Sequence, residues 1–285
     1  RVDGTRHGVD SYMDRACVSG LLVIRDEQIV LERYGLGLEE NSRWSTMSTI
    51  KSLTSTLVGA ALKQGAIGSL DDAVSAYLPA LRNSAYDAVS VRHLLTMSSG
   101  VRWNEDYTDR TSDVNRYSKS LGDKVPGGVL ALMRTLQAEH PPGTQFNYNS
   151  GDTYVLGSLV SAATGKALAD YMSQTVWSPL GMEFDAFYTL ESEGGQEIGG
   201  SRAGIALRDF GRFGVFLLRN GAIDDVSVLP SDWIEQAGRR AFTLDPAENR
   251  YGADGYGYSW WIDPDDSMVA LGFAGQSLYI NRRRN

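Results

Sequence analysis

A chain of 285 residues with 42% apolar content can bury a sizeable core, as one large domain or two interleaved ones. Its formal charge of -8 is the opposite of the basic face that phosphate binding needs, so no nucleic-acid partner is expected. No apolar run nears the ~20 residues that span a bilayer, so no membrane span is expected. Cys17 is the only cysteine, which excludes an internal disulfide and leaves the redox compartment open. The three histidines, His7, His93 and His140, lack metal-ligand spacing, and no metal or organic cofactor is expected. The chain begins at Arg1 rather than Met. A removed signal peptide, a fragment or a disordered leader would each leave such a start.

Residues 20–34 are the first clear element. Leu21, Leu22, Val23 and Ile24 form one apolar run, residues 25–28 a polar turn, and Ile29, Val30 and Leu31 a second run. This predicts a β-hairpin. A helix is predicted from about Ser48, because Ile50, Leu53, Leu57, Val58, Ala61 and Leu62 recur at helical spacing and Gly65 can stop it. Residues 69–140 read as helices and loops, with Ser90 as the N-cap of a short helix over 93–97 ended by Gly100. A further amphipathic helix runs from Tyr154 through Val155, Leu156, Leu159, Val160 and Ala163 to Gly165, and another spans about 205–219, before Gly221. Residues 256–262, 268–272 and 277–280 read as strands, separated by Pro264-Asp265-Asp266 and by Gly275. Strands, then helices, then strands predict a sheet built from both chain ends with a mainly helical region inserted between them. The regions are 1–68, 69–199 and 200–285.

Three stretches could carry chemistry. Ser48-Thr49-Ile50-Lys51 is an S-x-x-K motif. On a helix, residues i and i+3 share a face, so Lys51 can reach the Ser48 hydroxyl. The helix N-terminus points free N–H groups and its positive dipole end at the same place, which favours the oxyanion of acyl transfer. A lysine whose pKa burial has lowered could accept the serine proton. The plainer alternative is a capping serine followed by a surface lysine. Tyr148 follows Pro142-Gly143-Thr144 and Phe146 and precedes a helix. It could exchange a proton with a nucleophile or leaving group, or it is packed while Ser150 or Asp152 caps that helix. Gly272-Phe273-Ala274-Gly275-Gln276 could bring backbone close to a ligand, or it is an ordinary turn or bulge.

Other nucleophile systems do not fit. The nearest approach to G-x-S-x-G, Gly275-Gln276-Ser277-Leu278-Tyr279, fails at its last position. His93 lies in an apolar helix and reads as packed core, and His140, before two prolines, as a loop residue. There is no Walker loop, no G-x-G-x-x-G after a strand and no H-E-x-x-H.

Taken in order, these motifs resemble the class C β-lactamase-like, penicillin-recognising serine hydrolases. The likeness is carried by residues 44–55 around Ser48, residues 91–100, Pro142-Gly143-Thr144 through Tyr148, and Pro179-Leu180-Gly181-Met182, and it covers the chain from about Gly20. Within that family, residues 207–214, the Gly275-Gln276 ending and Glu105-Asp106-Tyr107 are similar to the 6-aminohexanoate-dimer hydrolases and related esterases, where the last stretch lies on a loop over the active site. The resemblance implies a β-lactamase/transpeptidase-like fold, an α/β (α+β) sandwich with an antiparallel sheet flanked by helices plus an inserted mainly helical region, with the site in the cleft between the two. It implies Ser48 as nucleophile and Lys51 and Tyr148 as the proton-handling pair. The oxyanion hole would be formed by the Ser48 N–H with that of Gln276, and Ala274, Gly275, Ser150 and Tyr107 would contact substrate.

Departures narrow the substrate. Penicillin-processing members hold the β-lactam carboxylate with Lys or His and a hydroxyl at the third motif, where this chain has Phe273-Ala274-Gly275. They usually carry Asn two residues after the tyrosine, where this chain has Ser150. Both changes favour a less charged small-molecule ester or amide. The rivals are a D,D-carboxypeptidase or weak β-lactamase, and a catalytically silent binding module. By the same resemblance about sixty N-terminal residues and a C-terminal strand and helix are expected beyond this chain. The compartment stays open, with the bacterial periplasm or cell envelope slightly favoured over the cytoplasm. The oligomeric state stays open.

Overall fold

The computed structural model describes residues 8–284 apart from 248 and 250, so His7 and the first residues of the 1–68 region lie outside the described residues. The N-terminal part comprises α1 (Val9–Ala16), β1 (Gly20–Arg25), β2 (Gln28–Tyr34), β3 (Trp44–Ser45) and a 3-10 turn (Met47–Thr49) that runs into α2 (Ile50–Lys63). Then come α3 (Val74–Tyr77), α4 (Val91–Leu95), α5 (Asp113–Asp123), α6 (Gly128–Thr135), α7 (Ser150–Thr164) and α8 (Leu168–Met172). The C-terminal part holds β4 (Gly204–Ile205), α9 (Leu207–Leu218), β5 (Ala222–Ile223), β6 (Val226–Ser227), α10 (Trp233–Ala237) and β7 (Phe242–Thr243). It continues with β8 (Gly255–Tyr256), β9 (Trp261–Ile262), β10 (Met268–Leu271) and β11 (Ser277–Ile280).

The sheet departs from the expectation. Five antiparallel strands, ordered β11-β10-β9-β8-β7, come from the C-terminal part alone, and β1–β2 is a separate two-stranded sheet. The two meet on α9 instead. Gly211 of that helix faces Leu22 and Ile24 of β1, and Gly214 faces Leu278 of β11. A Cβ on Gly211 would come within 2.5 Å of Leu22, so the bare helix face lets the hairpin dock. The β1–β2 turn itself is as predicted: Asp26 and Glu27 both have positive φ, the conformation that matches the twist of a tight hairpin.

The stretch 256–262 is two strands, not one. Ser259 has a φ of 60°, and a Cβ on Gly257 would lie 2.0 Å from the Ala237 carbonyl oxygen. The chain therefore turns sharply between β8 and β9. That turn holds the sheet to α2, since Ser52 Oγ donates to the Ser259 carbonyl at 2.7 Å and Ser55 Oγ to the Tyr258 carbonyl at 2.7 Å.

Helix α2 is buried from Ile50 through Ala61. Its apolar side joins the main core with Leu156, Leu159 and Val160 of α7. Its polar side is satisfied residue by residue, with Thr54 Oγ1 donating to Gly199 O at 2.6 Å. Helix α7 starts four residues before the predicted Tyr154, because Asn149 caps it by accepting from Asp152 N at 3.0 Å, and it ends at the predicted Gly165, whose φ is 66°. Ser90 caps α4 as expected, but His93 is not plain core: its Nδ1 accepts from Ser90 N at 3.1 Å, completing a capping box.

Candidate active site

Strand β3 and the 3-10 turn deliver the nucleophile candidate. β3 pairs with β4, and Thr46 N donates to Ala203 O at 2.8 Å. Met47 then takes a φ of 45°, a left-handed conformation that costs a non-glycine residue free energy and turns the chain abruptly. Ser48 follows, half-buried, inside the 3-10 turn rather than at a cap. The expected helix start is therefore displaced: α2 begins at Ile50 and its N-cap position is Thr49. Released from capping, the Ser48 hydroxyl lies 3.1 Å from Lys51 Nζ.

Lys51 is not the surface lysine of the plainer alternative. It is 1% exposed, and Nζ also donates to Ser150 Oγ at 3.2 Å and to Gly200 O at 2.6 Å. Burial lowers its pKa from 10.5 to about 8, against the opposing pull of the Glu105 carboxylate. Nζ stands 5.4 Å above the Tyr148 ring centroid. The Tyr148 ring is stacked on Trp261 with centroids 5.5 Å apart. Burial pushes the phenol well above its ordinary value, Tyr256 and Glu105 add to the shift, and an interaction with Ser48 opposes it.

These groups open onto a cavity of about 220 Å³ lined by Ser48, Glu105, Tyr107, Tyr148, Tyr251, Trp261 and Phe273. The third motif forms the turn between β10 and β11, with Gly272 N donating to Gln276 O at 2.7 Å. A Cβ on Gly272 would sit 3.0 Å from the Thr46 carbonyl oxygen, so glycine lets this turn approach the segment that carries Ser48. Phe273 is the residue of the turn that lines the cavity, and its ring contacts that of Tyr107 at 4.7 Å. Ala274, Gly275 and Gln276 are not among the lining residues, and Gln276 Oε1 accepts from Ala274 N at 3.1 Å. Of the aromatics at residues 258–261, Trp261 lines the cavity, while Trp260 and Tyr258 belong to the main core. Neighbouring residues of an extended chain point to opposite faces, so Trp261 turns to the cavity side and Trp260 to the main core.

Sequence reasoning passed over Glu105 as a site residue in its own right. Its Oε1 accepts from Ser150 Oγ at 2.5 Å and from Tyr107 OH at 2.7 Å. Its Oε2 accepts from Ser150 N at 3.1 Å and from Trp103 Nε1. A carboxylate two residues from Tyr107 was visible in the chain, but its partner Ser150 is 45 residues away. Gly200, whose carbonyl fixes Lys51, was marked only by the Gly199-Gly200 pair. Among the described residues no group of three or more His, Cys, Asp or Glu is placed to hold a metal, and no helix is long and apolar enough to cross a membrane.

A serine hydrolase is the class of protein that this fold and this hydroxyl–amine pair define. The chain belongs to the beta-lactamase family, whose profile matches residues 7–285. It is 28% identical over 288 residues to the 6-aminohexanoate-dimer hydrolase of Paenarthrobacter ureafaciens, covering 96% of this chain and 72% of that protein. It is 28% identical over 194 residues to a beta-lactamase of Pseudomonas fluorescens, covering 64% of this chain but only 49% of that one. Among solved structures, one from Bacillus anthracis, provisionally assigned as a 6-aminohexanoate-dimer hydrolase, superposes with a TM-score of 0.85 at 25% identity, covering 99% of this chain and 75% of that one.

Proposed function

We propose that the chain hydrolyses small, uncharged esters or amides through an acyl-enzyme on Ser48. The observation that carries this reading is the buried Lys51 amine 3.1 Å from a half-buried serine hydroxyl at the edge of an aromatic cavity. Neutral Lys51 takes the Ser48 proton as Oγ bonds to the substrate carbonyl carbon. The oxygen of the tetrahedral adduct is held by the Ser48 N–H, with a second N–H from the β10–β11 turn that Gly272 brings against the Ser48 segment. Lys51 and Tyr148 then pass a proton to the leaving alcohol or amine as its bond to carbon breaks. Water attacks the acyl-enzyme by the same route in reverse, releasing the acid and restoring Ser48.

The cavity walls support the substrate preference. Tyr107, Tyr148, Tyr251, Trp261 and Phe273 are aromatic, and the charged residue among the lining groups is Glu105, an anion. Among these lining residues a substrate carboxylate would meet like charge and no cationic partner, which costs binding free energy. The test compares p-nitrophenyl acetate and butyrate with nitrocefin, as kcat/KM in one buffer, on wild type and Ser48→Ala. Ester turnover should far exceed nitrocefin turnover, and both should vanish in Ser48→Ala together with labelling by a fluorophosphonate probe. Turnover that survives in Ser48→Ala would overturn the nucleophile. A preference for nitrocefin over both esters would replace the ester reading with a penicillin-processing one.

A further inference from the structure

We infer that Glu105 is a positioning residue that sets the direction of the hydrogen bonds around Lys51, so that the amine presents its lone pair to Ser48. The inference rests on Lys51 being the base for Ser48. It follows from counting protons. A serine hydroxyl carries one proton, and a carboxylate can only accept. Ser150 Oγ lies 2.5 Å from Glu105 Oε1, so its proton goes to Glu105. Toward Lys51, 3.2 Å away, the same hydroxyl can then only accept. The Gly200 carbonyl, 2.6 Å from Nζ, also only accepts. A neutral lysine has two N–H bonds and one lone pair. Both N–H bonds are claimed, by Ser150 and by Gly200, and the lone pair is left for the third neighbour, Ser48 Oγ at 3.1 Å.

Glu105 is itself held in an acceptor-only role. Two of its four partners, Ser150 N and Trp103 Nε1, can only donate, and both bind Oε2. The other two, Ser150 Oγ and Tyr107 OH, bind Oε1 and can either donate or accept. In Glu105→Gln the amide oxygen must therefore face Ser150 N and Trp103. The amide NH2 must face Ser150 Oγ and Tyr107. Every group in the network stays satisfied, so the variant should fold. Its polarity is reversed, however. Ser150 Oγ now receives an N–H from the amide and is free to donate its own proton to the Lys51 lone pair, which blocks the base.

Removing the donor should therefore restore part of what the reversal costs. Glu105→Gln should lower kcat/KM for a p-nitrophenyl ester about 10²-fold on the high-pH plateau, within the range general-base catalysis contributes. Ser150→Ala leaves no hydroxyl to orient, and in that background Glu105→Gln should cost less than about threefold; such strong non-additivity marks coupled groups. A charge effect alone predicts the opposite sign. Around Nζ, Tyr148 presents its ring and stays neutral, so removing the Glu105 charge lowers the Lys51 pKa, moves the acid limb of the pH profile down and speeds turnover at neutral pH. An equal cost of Glu105→Gln in both backgrounds, or turnover within threefold of wild type, would overturn the inference. If Glu105→Gln does not fold, Glu105→Asp against Glu105→Asn repeats the comparison at matched size. The aspartate should then lead by at least about tenfold, and equal rates would overturn it. Lys51→Arg with wild-type turnover would instead remove the base reading on which the inference stands.

Discussion

Raising the pH from 7 to 9 should speed ester turnover about tenfold, because the reaction needs Lys51 without its proton. The structure sets the scale. Lys51 is 1% exposed, and burial brings its pKa to about 8. At that value the neutral fraction is ~0.1 at pH 7 and ~0.9 at pH 9, whereas at an ordinary lysine pKa it would be ~3 × 10⁻⁴ at pH 7. The burial of this one amine is thus worth a factor of roughly 300 in available base at neutral pH. The sign is fixed by the chemistry: a base works deprotonated, so kcat/KM rises through the pKa and levels above it. The assay is initial-rate hydrolysis of p-nitrophenyl acetate from pH 6 to 10, with Ser48→Ala run in parallel to subtract spontaneous hydrolysis. Lys51→Arg should be inactive throughout, since a guanidinium stays protonated. A flat profile from pH 7 to 9, or a rising limb above pH 10, would refute the reasoning, and a fully active Lys51→Arg would show that only a fixed positive charge is needed.

Tyr148→Phe keeps the ring stacked on Trp261 and removes one hydroxyl. It should lower kcat/KM about 10²–10⁴-fold with little change in melting temperature, and a slight rate loss with a clear stability change would mark Tyr148 as packing alone. Asp152 in α7 is fully buried, its Oδ1 accepts from Tyr86 OH at 2.8 Å, and burial raises its pKa from 3.8 to about 7. The native state thus holds this proton more tightly than the unfolded chain. Its contribution is present in full below about pH 4 and is lost as pH rises to 7. Asp152→Asn should remove that slope from urea midpoints measured between pH 4 and 8 and raise stability at pH 8, and an unchanged slope would count against the shift.

Much of this molecule could be read from residue order. The hairpin turn at Asp26 and Glu27, the apolar repeat of α2, the Ser90 cap and the Gly165 stop depend on neighbours a few residues apart, and short-range sterics and hydrogen bonding decide them. The S-x-x-K pair was legible for the same reason, since three residues on a helical turn bring two side chains together whatever surrounds them. What that pair amounts to chemically was not local. Lys51 becomes a base by losing water and by meeting Gly200, 149 residues on, and Ser150, 99 residues on. The place of Glu105 beside Ser150 and the parting of Trp261 from Trp260 likewise depend on how α2, α7 and the five-stranded sheet pack. So does the docking of the β1–β2 hairpin on α9 in place of the sheet. Desolvation and the direction of a hydrogen bond are properties of an enclosed space, and only the tertiary structure encloses it.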